Sequence, residues 1–340
     1  MIPYLLNISS VFSFKTASFI TKYAYIPKMD DIDKRILYEL SKNARVTHKQ
    51  IARKIQSKEQ VVAYRIKKLE KNVITKYVPV FALSKLGIFS AKIYLRLHGV
   101  DEDFYKSLKA DWIAKCAGRW DLLLGFYVRD IMEFAKIKNE LLKKYHKYIQ
   151  DYDITYIEDG LVFDRDYLYK STTRNEFEYG GDIDKITLDP LQLKIINEIK
   201  NNARYKVMDV ARKLNVDPRT VMQKIKQMKG VLQGYTTFVN LKTIGYQLYK
   251  LCIYLQEYDQ TDKLINFLKS NPHTIHLIKS LGSWEFEVEI EHNSIEYIHE
   301  YISEIKNTFP KLIKQIDLVT ITDEIKLDFF PNTKLLSETN

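Results

Sequence analysis

An internal repeat constrains this chain more than any other feature of its sequence. "NARVTHKQIARKI" runs from Asn43 to Ile55, and "NARYKVMDVARKL" runs from Asn202 to Leu214, 159 residues further on. In both stretches the same six-residue spacing separates Asn-Ala-Arg from Ala-Arg-Lys. Self-similarity at so long a period indicates a duplicated structural unit. A chain of 340 residues is therefore expected to hold two copies of one unit, each with its own domains.

The first copy begins with the pattern of three short helices. Apolar residues recur at helical spacing from Asp30 onwards, and Thr47 with Gln50 forms a capping-box pattern before a short second helix. A third helix is predicted to begin at Ser57 or Lys58 and to point basic and amide side chains outwards. This order is typical of a helix-turn-helix, and the strand-like "VITKYVPVFAL" that follows predicts a wing, a small β-hairpin. A plain three-helix bundle has the same periodicity and stays open as the alternative.

The distribution of charge favours DNA binding over the plain bundle. The net charge of +10 is concentrated in the repeated segments, with +7 in residues 29–83 and +6 in residues 187–241. Residues 84–186 carry −1 and residues 242–340 carry −5. Clustered positive charge of this kind is the footprint expected for a polyanionic partner such as double-stranded DNA.

The outward residues of the two third helices are the candidate DNA contacts. The inner apolar stripe is kept between the copies, whereas the outward residues differ, so the two helices are expected to read different half-sites. Lysines 67, 68 and 226 are expected to meet phosphates, and residues 60, 64, 65, 219, 220 and 223 are the candidates for base edges. The full predicted set is Thr47, Lys58, Gln60, Tyr64, Arg65, Lys67, Lys68, Arg219, Thr220, Gln223, Lys224, Lys226 and Gln227.

Each helix-turn-helix is followed by the pattern strand, helix, strand, strand, helix, strand. The predicted helices begin near Asp101 and Ile131 in the first copy and near Gln260 and Ser294 in the second. This order predicts a ferredoxin-like βαββαβ sheet with helices on one face. The other face is predicted to be apolar and to pack on a second sheet. The fold class is therefore α+β, with two winged helix-turn-helix domains alternating with two ferredoxin-like βαββαβ domains.

"DDIDKRILYELSKNARVTHKQIARKI", "YRIKKLEKNVI" and "GRWDLLLGFYV" together resemble the Lrp/AsnC (feast/famine) transcriptional regulators. The resemblance covers about residues 29–165 and again 187–325. It implies a winged helix-turn-helix joined to an amino-acid-metabolism (RAM) domain, and a DNA-binding regulator of transcription in the cytoplasm, on the nucleoid. Members of that family usually carry one unit and dimerise, so this chain is expected to fold as its own pseudo-dimer and to form homo-oligomers through the RAM sheets.

The resemblance also implies a site for a small effector, such as an amino acid, in the loop between the second and third strands. The matching positions are Gly118, Trp120, Asp121, Gly282, Trp284 and Glu285. Glycine permits a tight turn close to a ligand, and a carboxylate can bind an α-ammonium group. The alternative is that Gly-x-Trp simply forms a hairpin with the tryptophan in the core.

An enzyme is the rival class of function. Siroheme decarboxylases resemble the same architecture, and that resemblance implies histidine and arginine around a tetrapyrrole. Here "KCAGRWDLL" and "KSLGSWEFE" contain one arginine and no histidine, so the regulator is preferred. The sequence predicts no metal site, since the two cysteines lack metal-ligand spacing and the histidines have no nearby cysteine or acidic ligand at fitting spacing. It also contains no Gly-rich phosphate loop and no nucleophile elbow, so no catalytic residue and no cofactor are predicted.

Domain limits follow from composition. Residues 1–28 are basic and are expected to be a disordered arm, a mis-assigned start before Met29, or a targeting segment. Residues 29–83 and 187–241 are the predicted helix-turn-helix domains, and 84–165 and 242–326 are the ferredoxin-like domains. The polar segment 166–186 is a predicted linker, and 327–340 is a predicted tail. Cys116 and Cys252 lie in apolar runs and are expected to be buried thiols.

Overall fold

The computed structural model describes residues 29–169, 174–181 and 186–331. The predicted N-terminal arm and residues 332–340 of the predicted tail lie outside these residues. The helices are α1 (Asp31–Lys42), α2 (His48–Lys54), α3 (Glu59–Asn72), α4 (Glu102–Ser107), α5 (Ile131–Tyr145), α6 (Pro190–Ile199), α7 (Val207–Leu214), α8 (Pro218–Gln227), α9 (Thr261–Ser270) and α10 (Ile295–Thr308). The strands are β1 (Ile74–Phe81), β2 (Phe89–Leu97), β3 (Trp112–Gly118), β4 (Leu122–Val128), β5 (Ile149–Phe163), β6 (Glu176–Glu178), β7 (Leu232–Val239), β8 (Gln247–Leu255), β9 (Thr274–Gly282), β10 (Phe286–His292) and β11 (Ile313–Leu327).

The two helix-turn-helix domains, α1–α3 and α6–α8, lie within the residue ranges that the repeat and the apolar periodicity predict. Thr47 and Gln50 make the predicted capping box at the start of α2, and Asp189 makes another with Gln192 at the start of α6. Each box pairs backbone N–H groups that the first helical turn would otherwise leave without partners. Lys58 is the N-cap of α3, so that helix begins at Glu59, one residue after the predicted start.

The wings differ from the prediction. Strand β1 does not fold back into a hairpin of its own; it pairs antiparallel with β7 of the second copy, with Tyr77 opposite Thr237. After β1 the chain passes through a short 3₁₀ turn, Leu83–Leu86, and enters β2 directly. The predicted hairpin is therefore wrong. The two copies share one two-stranded ribbon, which joins their helix-turn-helix domains.

Both βαββαβ domains are present, and together they form one closed sheet. Helices α4, α5, α9 and α10 begin one residue after Asp101, at Ile131, and one residue after Gln260 and Ser294, as the sequence predicts. Within each copy the strands pair in the ferredoxin-like order, and β3 then pairs with β11 while β5 pairs with β9. Eight strands thus close on themselves, which removes free sheet edges. The expected pseudo-dimer is formed inside a single chain, by edge-to-edge closure as well as by facing sheets.

The inner surface of this barrel is not uniformly apolar, which corrects the prediction for the second copy. Strand β10 alternates glutamates with apolar residues, and its glutamates face inwards. Glu287 Oε2 accepts from Lys250 Nζ at 2.6 Å and from Lys92 Nζ at 2.5 Å, and all three side chains are buried. Burial opposes ionisation of Glu287, but the charges of Lys250 and Lys92 outweigh it and lower its pKa to about 2. Glu287 and Lys250 therefore stay ionised inside the barrel.

The last residue of the predicted first ferredoxin-like domain, Arg165, and strand β6 of the predicted linker both pack on the fold. The guanidinium of Arg165 binds both carboxylate oxygens of Glu291, at 2.8 and 2.9 Å, and donates to the carbonyl of Thr237 at 2.9 Å. Strand β6 extends the sheet by pairing with β5. Residues 170–173 and 182–185 lie outside the described residues. The segment around Arg165 and β6 thus connects the barrel to the ribbon.

The first residues of the predicted tail are also packed. Phe330 contacts Phe81 edge-on, with ring centroids 4.7 Å apart, and Phe329 contacts Phe238 at 4.6 Å. Both contacts lie on the ribbon. Residues 328–331 therefore attach the end of β11 to the strands that carry the helix-turn-helix domains.

Both cysteines are buried and free, as the sequence predicts. Burial raises the pKa of the Cys116 thiol to about 12. In the described part of the chain, no helix has the length and apolar character needed to cross a membrane. Among the same residues, no three histidine, cysteine or carboxylate side chains are grouped so that they could hold a metal ion.

Candidate nucleic-acid interface

Helices α3 and α8 each pack one apolar stripe against the core of their own domain. Val62, Ile66 and Leu69 are buried on α3. Val221 and Met228 are buried at the equivalent positions of α8, and Ile225 is half-buried. Because this stripe fixes the rotation of each helix, the residues between the stripe positions must face away from the domain.

The outward side chains of both helices are available for a partner. Tyr64 is 72% exposed on α3. None of the outward side chains below forms a hydrogen bond or an ion pair with another described residue. They are Gln60, Tyr64, Lys67 and Lys68 on α3, and Arg219, Thr220, Gln223, Lys226 and Gln227 on α8. These nine residues belong to the thirteen that the sequence analysis selected, and they lie on the outward sides of the two helices.

Two of the predicted contacts have partners inside the protein. Arg65 Nη1 lies 2.5 Å from Asp30 Oδ2 and 3.0 Å from Asp33 Oδ1, and these bonds raise the pKa of the guanidinium. At the equivalent position of the second copy, Lys224 Nζ lies 2.6 Å from Asp189 Oδ2. Each pair joins the recognition helix to the start of the first helix of its domain. The predicted base-reading role of Arg65 would require it to leave both carboxylates.

Thr47 and Lys58 lie at helix starts. The hydroxyl of Thr47 accepts from the backbone N–H of Gln50 at 3.2 Å, so its first role is to cap α2. Lys58 is exposed at the N-cap of α3 and makes no side-chain capping bond. Both positions are accessible to a phosphate backbone that passes along the helix starts.

The repeated Asn-Ala-Arg motif forms a reciprocal contact between the two domains. Arg45 Nη1 donates to the carbonyl of Ala203 at 2.6 Å, and its guanidinium lies 4.0 Å from the ring centroid of Tyr205. In exchange, Arg204 Nη2 donates to the carbonyl of Val46 at 3.1 Å. We name these two arginines the arginine clasp. Sequence reasoning found the motif as a repeat but did not assign it to an interface.

Backbone bonds complete this interface. The N–H of Ala44 donates to the carbonyl of Tyr235 on β7 at 2.9 Å, and the N–H of Ala203 donates to the carbonyl of Tyr77 on β1 at 2.8 Å. In each unit Asn43 or Asn202 accepts from the backbone N–H of its own arginine and shapes the turn. The two recognition helices are therefore held in one arrangement by the clasp and the ribbon.

The residues of the predicted effector loops have partners within the barrel. Trp120 and Trp284 are both 1% exposed and pack in the barrel interior. Asp121 Oδ2 accepts from the N–H of Leu97 at 2.8 Å, and Glu285 Oε2 accepts from the N–H of Leu255 at 2.8 Å. The two carboxylates thus play the same part in both copies, each bonded to the strand beside its loop.

The glycines of these loops allow close approach between strands. A Cβ atom on Gly118 would lie 2.5 Å from the carbonyl oxygen of Leu318, and one on Gly282 would lie 2.5 Å from that of Ile154. Gly118 also has a φ of +114°. Both glycines are therefore needed where one copy's sheet meets the other's, and effector binding at these loops stays a prediction.

Comparison with known proteins identifies the helix-turn-helix domains. Residues 29–70 match the AsnC-type helix-turn-helix domain, and residues 188–229 match a winged helix-turn-helix DNA-binding domain. An uncharacterized HTH-type transcriptional regulator of Pyrococcus abyssi is 31% identical over 125 residues, which are 34% of this chain and 84% of that protein. The proline dehydrogenase transcriptional activator of Rhodobacter capsulatus is 32% identical over 124 residues, 34% of this chain and 80% of the relative.

A solved structure matches the whole double unit. The crystal structure of the siroheme decarboxylase NirDL covers 91% of this chain and 97% of its own, with a TM-score of 0.58 and 14% sequence identity. At that sequence identity the match shows a similar fold and nothing about function. The regulators, by contrast, are matched by sequence over one unit, at 80% or more of the length of the two relatives described. The chain therefore belongs to the Lrp/AsnC family, with the family's helix-turn-helix and βαββαβ unit present twice in one polypeptide.

Proposed function

We propose that this protein is a sequence-specific DNA-binding transcriptional regulator that acts as a single-chain pseudo-dimer. One observation carries the proposal. Two recognition helices present basic and amide side chains with no partner among the described residues, and the arginine clasp and the ribbon hold them in one arrangement. A location on the nucleoid is part of the same proposal.

The outward side chains divide by their chemistry. Lys67, Lys68 and Lys226 supply charge for phosphates, which gives affinity without sequence preference. Gln60, Arg219 and Gln223 have the paired donors or acceptors that recognise base edges in the major groove. Arg65 and Lys224 position α3 and α8 through their carboxylate partners. Two half-sites about 34 Å apart are expected for such a pair of helices.

Selection from a genomic fragment library, followed by salt titration of the selected site, tests the proposal. Each phosphate contact contributes a slope of about −0.9 in log K against log salt concentration. Lys67→Ala and Lys226→Ala are each expected to reduce the magnitude of the slope by about 1. Lys143→Ala is the matched control, because Lys143 is exposed on α5, a helix of the barrel. No selected fragment, or a slope that neither recognition-helix variant changes, would refute the proposal.

We also propose that a small effector modulates the regulator, with an amino acid at the Gly118–Asp121 loop as the family-based prediction. The geometry that the two loops share supports this proposal. The hydrogen bond that Asp121 already accepts from the N–H of Leu97 argues against it. Calorimetry with the twenty amino acids on wild type and Asp121→Asn decides between these readings. Oligomers through the RAM sheets would need surfaces other than the inner sheet faces, which are buried within the chain.

The siroheme decarboxylase reading is the second candidate, because the solved structure that spans the double unit is such an enzyme. The segment predicted to hold a tetrapyrrole argues against it. Its arginine, Arg119, binds Asp317 Oδ2 at 2.7 Å, and Trp120 beside it is buried. Mixing the purified protein with a tetrapyrrole and recording its absorbance spectrum tests this candidate. A bound, shifted absorbance band would favour the enzyme.

A further inference from the structure

A cavity of about 220 Å³ lies between the ribbon and the barrel. Residues 78–81 of β1 and 236–239 of β7 line it on the ribbon side, and inward residues of β2, β4, β9, β10 and β11 line it on the barrel side. Its apolar wall includes Trp112, Phe126 and Phe329. The strands on its ribbon side are those that connect the two helix-turn-helix domains. A molecule in the cavity would contact the connection between the DNA-binding surfaces.

The charged groups in and beside the cavity are mostly paired. Three cationic side chains bind three glutamates in the barrel interior, so this group is neutral as a whole. The ion pairs are Lys92–Glu287, Lys250–Glu287, Lys250–Glu289 and Arg165–Glu291.

Glu324 on β11 is not part of this neutral group of ion pairs. Its Oε1 accepts from Trp112 Nε1 at 3.2 Å, and within the described residues it has no cationic partner. It is one of the residues that line the cavity, and part of its surface is exposed. The charged groups that act on it there are His276 on β9 and Glu289 and Glu291 on β10. Burial, with the charge of Glu289 adding to it, raises the pKa of Glu324 to about 7.

Thr237 provides an independent sign that the cavity accepts a polar ligand. The residue is 1% exposed, it lines the ribbon side of the cavity, and its hydroxyl oxygen has no hydrogen-bond partner among the described residues. A buried hydroxyl without a partner costs free energy that a ligand donor or acceptor would recover. Within the described residues, the cavity lining thus includes a carboxyl group, Glu324, that forms no ion pair and a hydroxyl, Thr237, that forms no hydrogen bond.

We propose that this cavity binds a small organic ammonium ion with an apolar body, whose charge Glu324 neutralises. The apolar and aromatic wall would enclose the body of the ligand. An ammonium beside Glu324 would form a charge-assisted hydrogen bond.

Size and charge define the class of ligand. Pockets for drug-sized ligands measure about 300–1,000 Å³, so a cavity of about 220 Å³ suits a smaller molecule. Asp111 adds a further carboxyl group to the lining, and its Oδ2 accepts from the backbone N–H of Tyr127. A ligand carboxylate would meet these acidic groups, so an amine is favoured over the corresponding amino acid.

Calorimetric titration with 2-phenylethylamine, without DNA, tests the proposal independently of the proposed function. Phenylalanine adds a carboxylate to the same body, and 3-phenylpropionate replaces the ammonium with one. We expect one phenylethylamine per chain and at least about tenfold weaker binding of both comparators. Affinity should fall at least about tenfold between pH 8 and pH 5.5, because Glu324 is then protonated.

Variants locate the site. Glu324→Gln should bind phenylethylamine at least about tenfold more weakly at pH 8 and should lose the pH dependence. Asp323→Asn is the matched control, because Asp323 is exposed and lies 3.4 Å from Lys242, outside the cavity.

Three outcomes would overturn the proposal. They are no measurable binding of phenylethylamine at millimolar concentration, equal binding of 3-phenylpropionate, and equal losses in Glu324→Gln and Asp323→Asn. Loss of binding in Glu324→Gln alone, with its folding verified by thermal denaturation, would establish the site whether or not the protein binds DNA.

Discussion

Gly118 lies where the sheet of the first copy meets the sheet of the second. Its φ is +114°, and an added Cβ would lie 2.5 Å from the backbone oxygen of Leu318. Gly118→Ala is therefore expected to destabilise the protein by about 3 kcal/mol, since both the backbone and the strand contact are strained. Chemical denaturation measures this value. Gly99→Ala is the control, because Gly99 has a φ of +61° but open space around it, and should cost only about 1–2 kcal/mol.

Glu324 should make stability depend on pH. Its folded-state pKa is raised from an ordinary value of 4.5 to about 7, so the folded protein holds this proton more tightly than the unfolded chain does. The contribution of this residue to stability therefore falls as pH rises from about 4.5 to about 7. Glu324→Gln cannot ionise, so its Tm should exceed that of wild type by more at pH 8 than at pH 5. The same Tm difference at both pH values would contradict this assignment.

At the scale of elements, the arginine clasp accounts for the repeated motif. Arg45 donates to two carbonyl oxygens of the second copy and lies over the ring of Tyr205. Arg45→Ala should therefore destabilise the protein by about 2 kcal/mol, the scale of hydrogen bonds from a charged donor. Urea denaturation measures the change.

Arg212→Ala is the matched variant for the clasp. Arg212 belongs to the Ala-Arg-Lys part of the repeat. It is exposed on α7 and forms an ion pair with Asp209, one turn earlier in the helix. Its replacement should change stability by no more than about 0.5 kcal/mol. Equal effects of the two variants would show that the clasp adds nothing beyond a surface ion pair.

At the scale of the whole molecule, one chain holds two unequal DNA-reading helices. Arg219 on α8 occupies the position of Gln60 on α3, and a symmetric operator would be served by identical side chains. Arg219→Ala should weaken preference at one half-site by about 1–3 kcal/mol, if the arginine binds guanine through two hydrogen bonds. Binding to operators mutated in either half measures this preference.

Gln60→Ala is the reciprocal variant for the same operators. It should relax the preference of the opposite half-site, because Gln60 lies on the other recognition helix. Losses that fall equally on both half-sites, in either variant, would mean that the helices do not read separate halves.

Local patterns by themselves determined much of this protein. The capping pattern of Thr47 and Gln50 located α2, and the order of strand and helix patterns located both βαββαβ domains, because caps and faces depend on residues a few positions apart. The outward residues of α3 and α8 followed from the apolar stripe for the same reason. The repeat, together with the resemblance to a family whose members dimerise, also predicted a pseudo-dimer.

Only the tertiary structure decided which partners these elements take. Alternation along β10 separates two faces but does not say which one meets water, so the burial of Glu287 with Lys250 was not predicted. The pairing of β1 with β7 and the clasp of Arg45 join residues about 160 positions apart. Such contacts depend on the complementary surfaces of two complete copies, which no local pattern specifies. The cavity beside Glu324 exists because the ribbon and the barrel meet there.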